Sequence, residues 1–178
     1  MQLYSKNNIF SFSEKYVQEN KNIFLAALVL FILPLLPLNQ FIVGTIVNAI
    51  LIKSAISMNS KKVFLLSVLP SLAVFLGGVL FANVTLEIAL MLPFIWAGNF
   101  VLMLLTRKLF VSDKKSYFVS TLISSIGKTL ILFFAAFVLL YFGLVPAVFL
   151  TMFGVMQFVT AQSGAVLVYL VQKVNGKL

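Results

Sequence analysis

The sequence contains no cysteine and no histidine. The chain therefore has no thiolate nucleophile, no disulfide and no imidazole base, and it lacks the ligands that zinc, haem and iron–sulfur proteins commonly use. We expect no cofactor, no metal site and no catalytic residue of the common kinds. A lipid-modifying enzyme would have only Glu87 and Lys128 as acid and base, and these two residues are predicted to lie at different membrane depths.

Charge is also scarce. Four acidic and thirteen basic residues give a formal net charge of +9, whereas 62% of the residues are hydrophobic and the mean hydropathy is +1.12. Repeated apolar runs of about 20 residues indicate a multi-span membrane protein. A basic soluble protein would suggest nucleic acid, but here the basic residues lie between apolar runs, so the expected partner is the lipid bilayer and not nucleic acid.

The predicted fold is all-α and polytopic, with six transmembrane helices in one domain. Residues 1–22 are polar and are predicted to form a short helix at the membrane interface, residues 23–171 the transmembrane domain, and residues 172–178 a cytoplasmic tail. The six spans, numbered 1 to 6 in chain order, are predicted at about 23–36, 41–57, 63–81, 88–106, 117–141 and 147–171.

The basic residues predict the orientation of these spans. Eleven of the thirteen lie before span 1, between spans 2 and 3, between spans 4 and 5, or after span 6, and the opposite loops contain none. Positive loops face the cytoplasm, so both termini are predicted to be cytoplasmic in a multi-pass protein of the cell membrane. The other two basic residues, Lys53 and Lys128, lie within spans.

Lys128 is the most informative of these residues, because a lysine at the centre of a membrane helix costs roughly 2.5 to 3.5 kcal/mol. Ser120 and Ser124 share its helical face, and Gly127 beside it would let another helix approach closely. Three interpretations remain open. The amine reaches the cytoplasmic surface, it faces a cavity or ligand, or main-chain carbonyls hold it in a structural role.

Three amides, Asn48, Asn99 and Gln157, are predicted near mid-depth, each on a different span from Lys128 and from one another. Small residues share their helical faces, with Gly44 beside Asn48 and Gly164 beside Gln157, so these faces are predicted to point into the bundle. The amides either hydrogen-bond between helices or, together with Lys128, line a cavity suited to a small, partly apolar molecule with an anionic group.

Three runs of the sequence carry a resemblance to a known family. They are LPLNQFIVGTIVNAIL at the start of span 2, MLPFIWAGNF in span 4 and MQFVTAQSGAVLVYL in span 6. With the six-span plan, these runs resemble the substrate-binding S components of energy-coupling factor (ECF) vitamin transporters. Within that fold they are most similar to a small bacterial group often labelled iron hydrogenase, a label that a chain without cysteine does not support.

The resemblance implies an S-component-like bundle that captures a vitamin-like molecule from the outer face, among spans 4 to 6. Its candidate ligand-binding residues are Lys128, Asn99, Gln157, Asn48, Trp96, Glu87, Asn39 and Gln40. Uptake would need an energising transmembrane subunit and two ABC-type ATPases, since this chain has no phosphate-binding loop. S components usually carry two alanines four apart in span 1, whereas Ala26 and Ala27 are adjacent here, so docking to that subunit does not follow. The alternative function is a structural or assembly membrane protein without a small-molecule ligand.

Overall fold

The computed structural model describes residues 2–58, 61–80 and 86–176, with side chains at 14, 16–58, 61–78 and 86–176. Helices account for most of this part of the chain, and it contains no strand. The α-helices are α1 (Gln2–Ile32), α2 (Gln40–Ser57), α3 (Leu69–Leu80), α4 (Leu86–Thr106), α5 (Tyr117–Tyr141), α6 (Val148–Phe153) and α7 (Val155–Val174).

The helix α1 is continuous, so the helix predicted before residue 23 and the first span form one element. No glycine or proline interrupts the sequence between Gln2 and Ile32. The part of the chain that is apolar enough to cross a membrane begins at Tyr16 and ends at Leu35. A 3₁₀ turn over Leu33–Leu35 contains Pro34 and ends this first span, because proline lacks the amide hydrogen that would continue a helix.

Two predicted spans are broken by proline or glycine. In span 3, a 3₁₀ helix over Lys61–Ser67 precedes α3, whose second residue is Pro70. Proline is tolerated in the first turn of a helix but clashes with the preceding turn, which explains the interruption. In span 6, Gly154 separates α6 from α7. A Cβ atom there would lie 2.5 Å from the carbonyl oxygen of Leu150 and 2.9 Å from the Phe133 ring, so the break requires glycine.

The predicted basic loop at residues 107–115 is mostly helical. Arg107–Ser112 continue α4 as a π-helix, and the chain turns at Lys114, which has a φ of 55°. The guanidinium of Arg107 donates a hydrogen bond to the main-chain oxygen of Met58 and joins this extension to the end of α2. At the other boundaries, α4 begins two residues before the predicted residue 88, and α7 continues to Val174, three residues into the predicted tail.

Four helices form the centre of the bundle. The helices α4 and α7 each pack against both α2 and α5, which places α2 and α5 on opposite sides of the group. The helix α1 packs on α2 and α3 at the periphery, and α6 packs on α5 and α7. One apolar cluster surrounds Leu51, Leu102 and Val168, and a second surrounds Met91 and Leu132.

Six helical segments are long and apolar enough to span a membrane. The outward face of α5 carries Leu130, Phe134 and Phe137, each at least half exposed. Such a continuous apolar surface is typical of a protein that contacts lipid and not water. The chain is thus a multi-pass, all-helical membrane protein. Residues 81–85, which include most of the predicted connection between spans 3 and 4, lie outside the described residues.

Candidate functional site

Lys128 lies in the middle of α5 and points into the bundle. Only 3% of its surface is exposed, and its Nζ atom donates a hydrogen bond of 2.6 Å to Oδ1 of Asn48 on α2. The amine therefore does not reach the membrane surface, and the first of the three interpretations is wrong. Its acceptor is a side-chain amide and not a main-chain carbonyl, so Lys128 connects the two helices on opposite sides of the bundle.

A threonine extends this contact to a third helix. The Nδ2 atom of Asn48 donates to Oγ1 of Thr160 on α7, at 3.2 Å. The Thr160 hydroxyl donates in turn to the carbonyl oxygens of Met156, at 2.8 Å, and Gln157, at 3.2 Å. A buried chain of hydrogen bonds thus runs from α5 through α2 to α7. We call Lys128, Asn48 and Thr160 the polar triad.

Glycines allow the three helices to approach closely enough for this triad. A Cβ atom on Gly44 of α2 would lie 3.2 Å from Cγ2 of Thr160, and one on Gly164 of α7 would lie 3.0 Å from Cβ of Asn48. Gly44 contacts Thr160, and Asn48, four residues after Gly44, contacts Gly164, four residues after Thr160. Because the contacts follow in the same order along both helices, α2 and α7 run parallel. On α4, a Cβ on Gly98 would lie 3.4 Å from Cγ of Lys128. The predicted inward faces of α2 and α7 are confirmed.

Asn99 does not join the triad. It is buried on α4, and its Nδ2 atom donates to the carbonyl oxygen of Ser67 at 3.0 Å. Ser67 ends the 3₁₀ helix that precedes α3. Proline at residue 70 removes one main-chain donor near this point, and Asn99 supplies a side-chain donor to the same region. Trp96, one turn earlier on α4, is partly buried and lies on the same side of the helix.

No hydrogen bond in the described part of the chain joins the remaining candidates to the Lys128 amine. Gln157 is partly buried one turn before Thr160, and its main-chain oxygen, not its side chain, contacts the triad. Asn39 and Gln40 are exposed at the start of α2, roughly 12 Å along the helix axis from Asn48. The Asn39 side chain accepts a hydrogen bond from the amide of Phe41 and caps the helix. Glu87 lies in the first turn of α4, roughly 18 Å along the axis from Asn99.

Several buried polar atoms near the triad have no hydrogen-bond partner among the described residues. They are Oγ of Ser125 and Oγ1 of Thr129 on α5, Oγ1 of Thr45 on α2, and Nε1 of Trp96 and Oδ1 of Asn99 on α4. Ser125 and Thr129 lie within three residues of Lys128 along α5, Thr45 lies three residues before Asn48 on α2, and Trp96 and Asn99 flank Gly98 on α4. Hydroxyl and amide groups of these kinds can donate to or accept from another polar group.

The triad contains a cation without a carboxylate. The whole sequence has four acidic residues. Glu14 and Glu19 lie on α1, Glu87 in the first turn of α4, and Asp113 directly after the π-helix. None of them lies on the helices that supply the triad. A buried ammonium without an opposite charge costs several kcal/mol, which makes Lys128 suited to an anionic partner that the chain does not provide.

Thr160 was not among the predicted site residues, although the sequence contains a signal for it. It lies three residues after Gln157 and four before Gly164, on the face already predicted to point inward. Two further contacts join α5 and α7 nearer the start of α5, and neither was predicted. The Tyr117 hydroxyl donates to the carbonyl oxygen of Ala165 at 2.7 Å, and Nε2 of Gln162 donates to that of Thr121 at 3.3 Å. These bonds fix the register between α5, which carries Lys128, and α7, which carries Thr160.

Comparisons with known proteins add no identification: no family model, no curated protein and no solved structure matches this chain. In the described part of the chain, no three Asp or Glu residues gather into a group that could hold a metal ion. The polar triad is the candidate functional site of this protein.

Proposed function

We propose that this protein is the membrane-embedded substrate-capture subunit of an uptake transporter for a small, vitamin-like molecule with an anionic group. The observation that carries the proposal is the buried Lys128, which has a neutral amide as its acceptor and no carboxylate on α2, α5 or α7, the three helices that supply the triad. A ligand carboxylate beside Nζ would supply the missing charge, and charge-assisted hydrogen bonds are the strong ones. The unpartnered hydroxyls of Ser125 and Thr129 would add short polar contacts.

The resemblance to ECF S components supports the rest of this proposal. The ligand would enter from the outer face and bind among α4, α5 and the α6–α7 pair. The protein would not catalyse a reaction of this ligand. Uptake would depend on an energising transmembrane subunit and two ABC-type ATPases. The parallel course of α2 and α7, which supply spans 2 and 6, is what a bundle of alternating spans requires, and six such spans leave both termini on one side of the membrane.

Replacement of Lys128 by methionine tests the site. Methionine keeps most of the side-chain length and removes the charge, so the variant should fold and bind ligand more weakly. Loss of one charge-assisted hydrogen bond corresponds to about 1.5 to 3 kcal/mol, or about ten- to a hundredfold in affinity. The measurement is a thermal-shift screen of water-soluble vitamins and small carboxylates on the wild type, followed by titration of the best compound.

The matched control is Lys108→Met, which removes one charge from an exposed position on the π-helix. Its affinity should equal that of the wild type. Equal affinities in all three proteins would remove Lys128 from the site and leave Asn99 and Gln157 as candidates. Mass spectrometry of small molecules that co-purify with the wild type, but not with Lys128→Met, would identify the ligand directly.

A structural or assembly role is the alternative, and one observation favours it. The triad already joins three helices through internal hydrogen bonds, and interhelical bonds of this kind stabilise membrane bundles by about 0.6 to 2 kcal/mol each. A protein with this role would show no stabilisation by any compound in the screen and no co-purified small molecule. The same screen therefore separates the two functions.

The orientation in the membrane is tested by cysteine labelling, for which a chain without cysteine is a clean background. Cysteines at Lys61 and Lys114 should be protected in intact cells from a membrane-impermeant thiol reagent, because both positions lie in basic segments predicted to be cytoplasmic. A cysteine at Asn83 should react. Labelling at Lys114 from outside, with intact cells confirmed by a cytoplasmic marker, would contradict the proposed orientation.

A further inference from the structure

An open groove runs along the surface of the bundle, away from the polar triad. The helices α1 and α7 form its walls, and the face of α2 that carries Ile46, Ala49, Ile50 and Lys53 forms its floor. The groove has a volume of about 460 Å³. It exists because α1 packs on α2 and α3 and leaves the adjoining surface of α7 uncovered.

The polarity of the groove changes along its length. Asn22, Lys53 and Ser57 lie at one end, where α2 finishes and α1 crosses into its apolar part. Deeper in the membrane, the groove is lined by aliphatic residues, among them Val29, Ile46 and Leu167. A surface that is cationic at the membrane boundary and apolar further in matches an amphiphile with an anionic head and a hydrocarbon chain.

The charge at the polar end is not neutralised within the groove. Lys53 is partly buried and is the one charged residue among those that line it. The nearest acidic residue along α1 is Glu19, one turn before Asn22, and it does not line the groove. A transmembrane helix from a partner protein would have to place apolar side chains against this ammonium, whereas a lipid phosphate would bind it.

We propose that this groove binds an anionic phospholipid, with one acyl chain between α1 and α7 and the headgroup beside Lys53. The predicted orientation supports the assignment, because it places this end of α2 at the cytoplasmic leaflet, where anionic lipids attract lysine and arginine near the surface. The long stem of Lys53 can lie along the apolar wall while its amine meets the phosphate. This site is independent of the proposed ligand at Lys128.

The test compares two lipids that share a phosphate and acyl chains but differ in net charge. The purified full chain in detergent is given equal amounts of phosphatidylglycerol and phosphatidylcholine, and native mass spectrometry counts the retained lipids. We expect the wild type to retain phosphatidylglycerol over phosphatidylcholine by about fivefold, the contribution of one lysine near an anionic surface. In Lys53→Met this preference should fall several-fold, and in Lys108→Met, an exposed control lysine, it should remain.

A second variant tests the apolar half of the groove. Val29→Trp fills the space between α1 and α7 without a change of charge, so it should reduce the retention of both lipids. An equal retention of the two lipids by the wild type, or an undiminished preference in Lys53→Met, would overturn the proposal. Wild-type protein that retains neither lipid would also overturn it and would leave the groove to a partner helix.

Discussion

The Asn48→Leu variant should lose about 3 kcal/mol of unfolding free energy, because it leaves a buried charged donor without its acceptor, which costs at least as much as the upper part of the range for neutral groups. Leucine branches at the same carbon as asparagine, so the shape of the side chain is largely kept. The substitution removes the acceptor of Lys128 Nζ and the donor to Thr160, and it leaves the amine buried against hydrocarbon. Unfolding by SDS in mixed micelles, followed by circular dichroism, measures the difference.

A double-mutant cycle shows whether the charge causes this loss. Lys128→Met alone should cost less than Asn48→Leu, because it leaves only a neutral amide oxygen without its donor, worth about 1 to 3 kcal/mol. The double variant should be more stable than Asn48→Leu, because neither partner then remains unpaired. Additive losses in the double variant would show that Asn48 does not hold Lys128.

Gly164→Ala is expected to separate α2 from α7. The new Cβ atom would lie 2.8 Å from both the amide nitrogen of Ala49 and the carbonyl oxygen of Thr45. Both are main-chain atoms, so no side-chain rotation relieves the clash and the helices must move apart. We expect a loss of about 3 kcal/mol in unfolding free energy, the upper part of the range for overpacked positions. The same SDS titration measures it.

Gly127→Ala is the matched control on α5. Its Cβ would lie 3.0 Å from Cδ1 of Leu105 and 3.3 Å from Cγ1 of Val101, which are the ends of flexible side chains. Those ends can shift, and alanine favours the helix over glycine by about 1 kcal/mol. The variant should therefore keep the stability of the wild type. A similar loss of unfolding free energy in both variants would mean that α2 and α7 pack no more closely at Gly164 than α4 and α5 pack at Gly127.

The sequence by itself determined the membrane class and the six spans, because the length and hydropathy of an apolar run are local properties. It also determined which faces point inward. Gly44 with Asn48 on α2, and Ala161 with Gly164 on α7, mark their buried sides by helical periodicity. The breaks in spans 3 and 6 could not be predicted from the sequence, because a proline such as Pro70 or a glycine such as Gly154 can either kink a helix or interrupt it. Which of the two occurs depends on the packing of the neighbouring turn.

Only the tertiary structure decided where the Lys128 amine lies and which residue it contacts. Its sequence context allowed an outward path, a ligand or a carbonyl cap, and the choice depended on which helix lies opposite α5 and in which register. Asn48 is 80 residues away in the chain, and no local pattern distinguishes it from Asn99 or Gln157 as a partner. Helix contacts set by Gly98, Gly164 and Tyr117 bring Asn48 to the amine and direct Asn99 to Ser67 instead. The sequence alone predicts the polar groups at mid-depth, but their pairing depends on distances that exist only after the helices have packed.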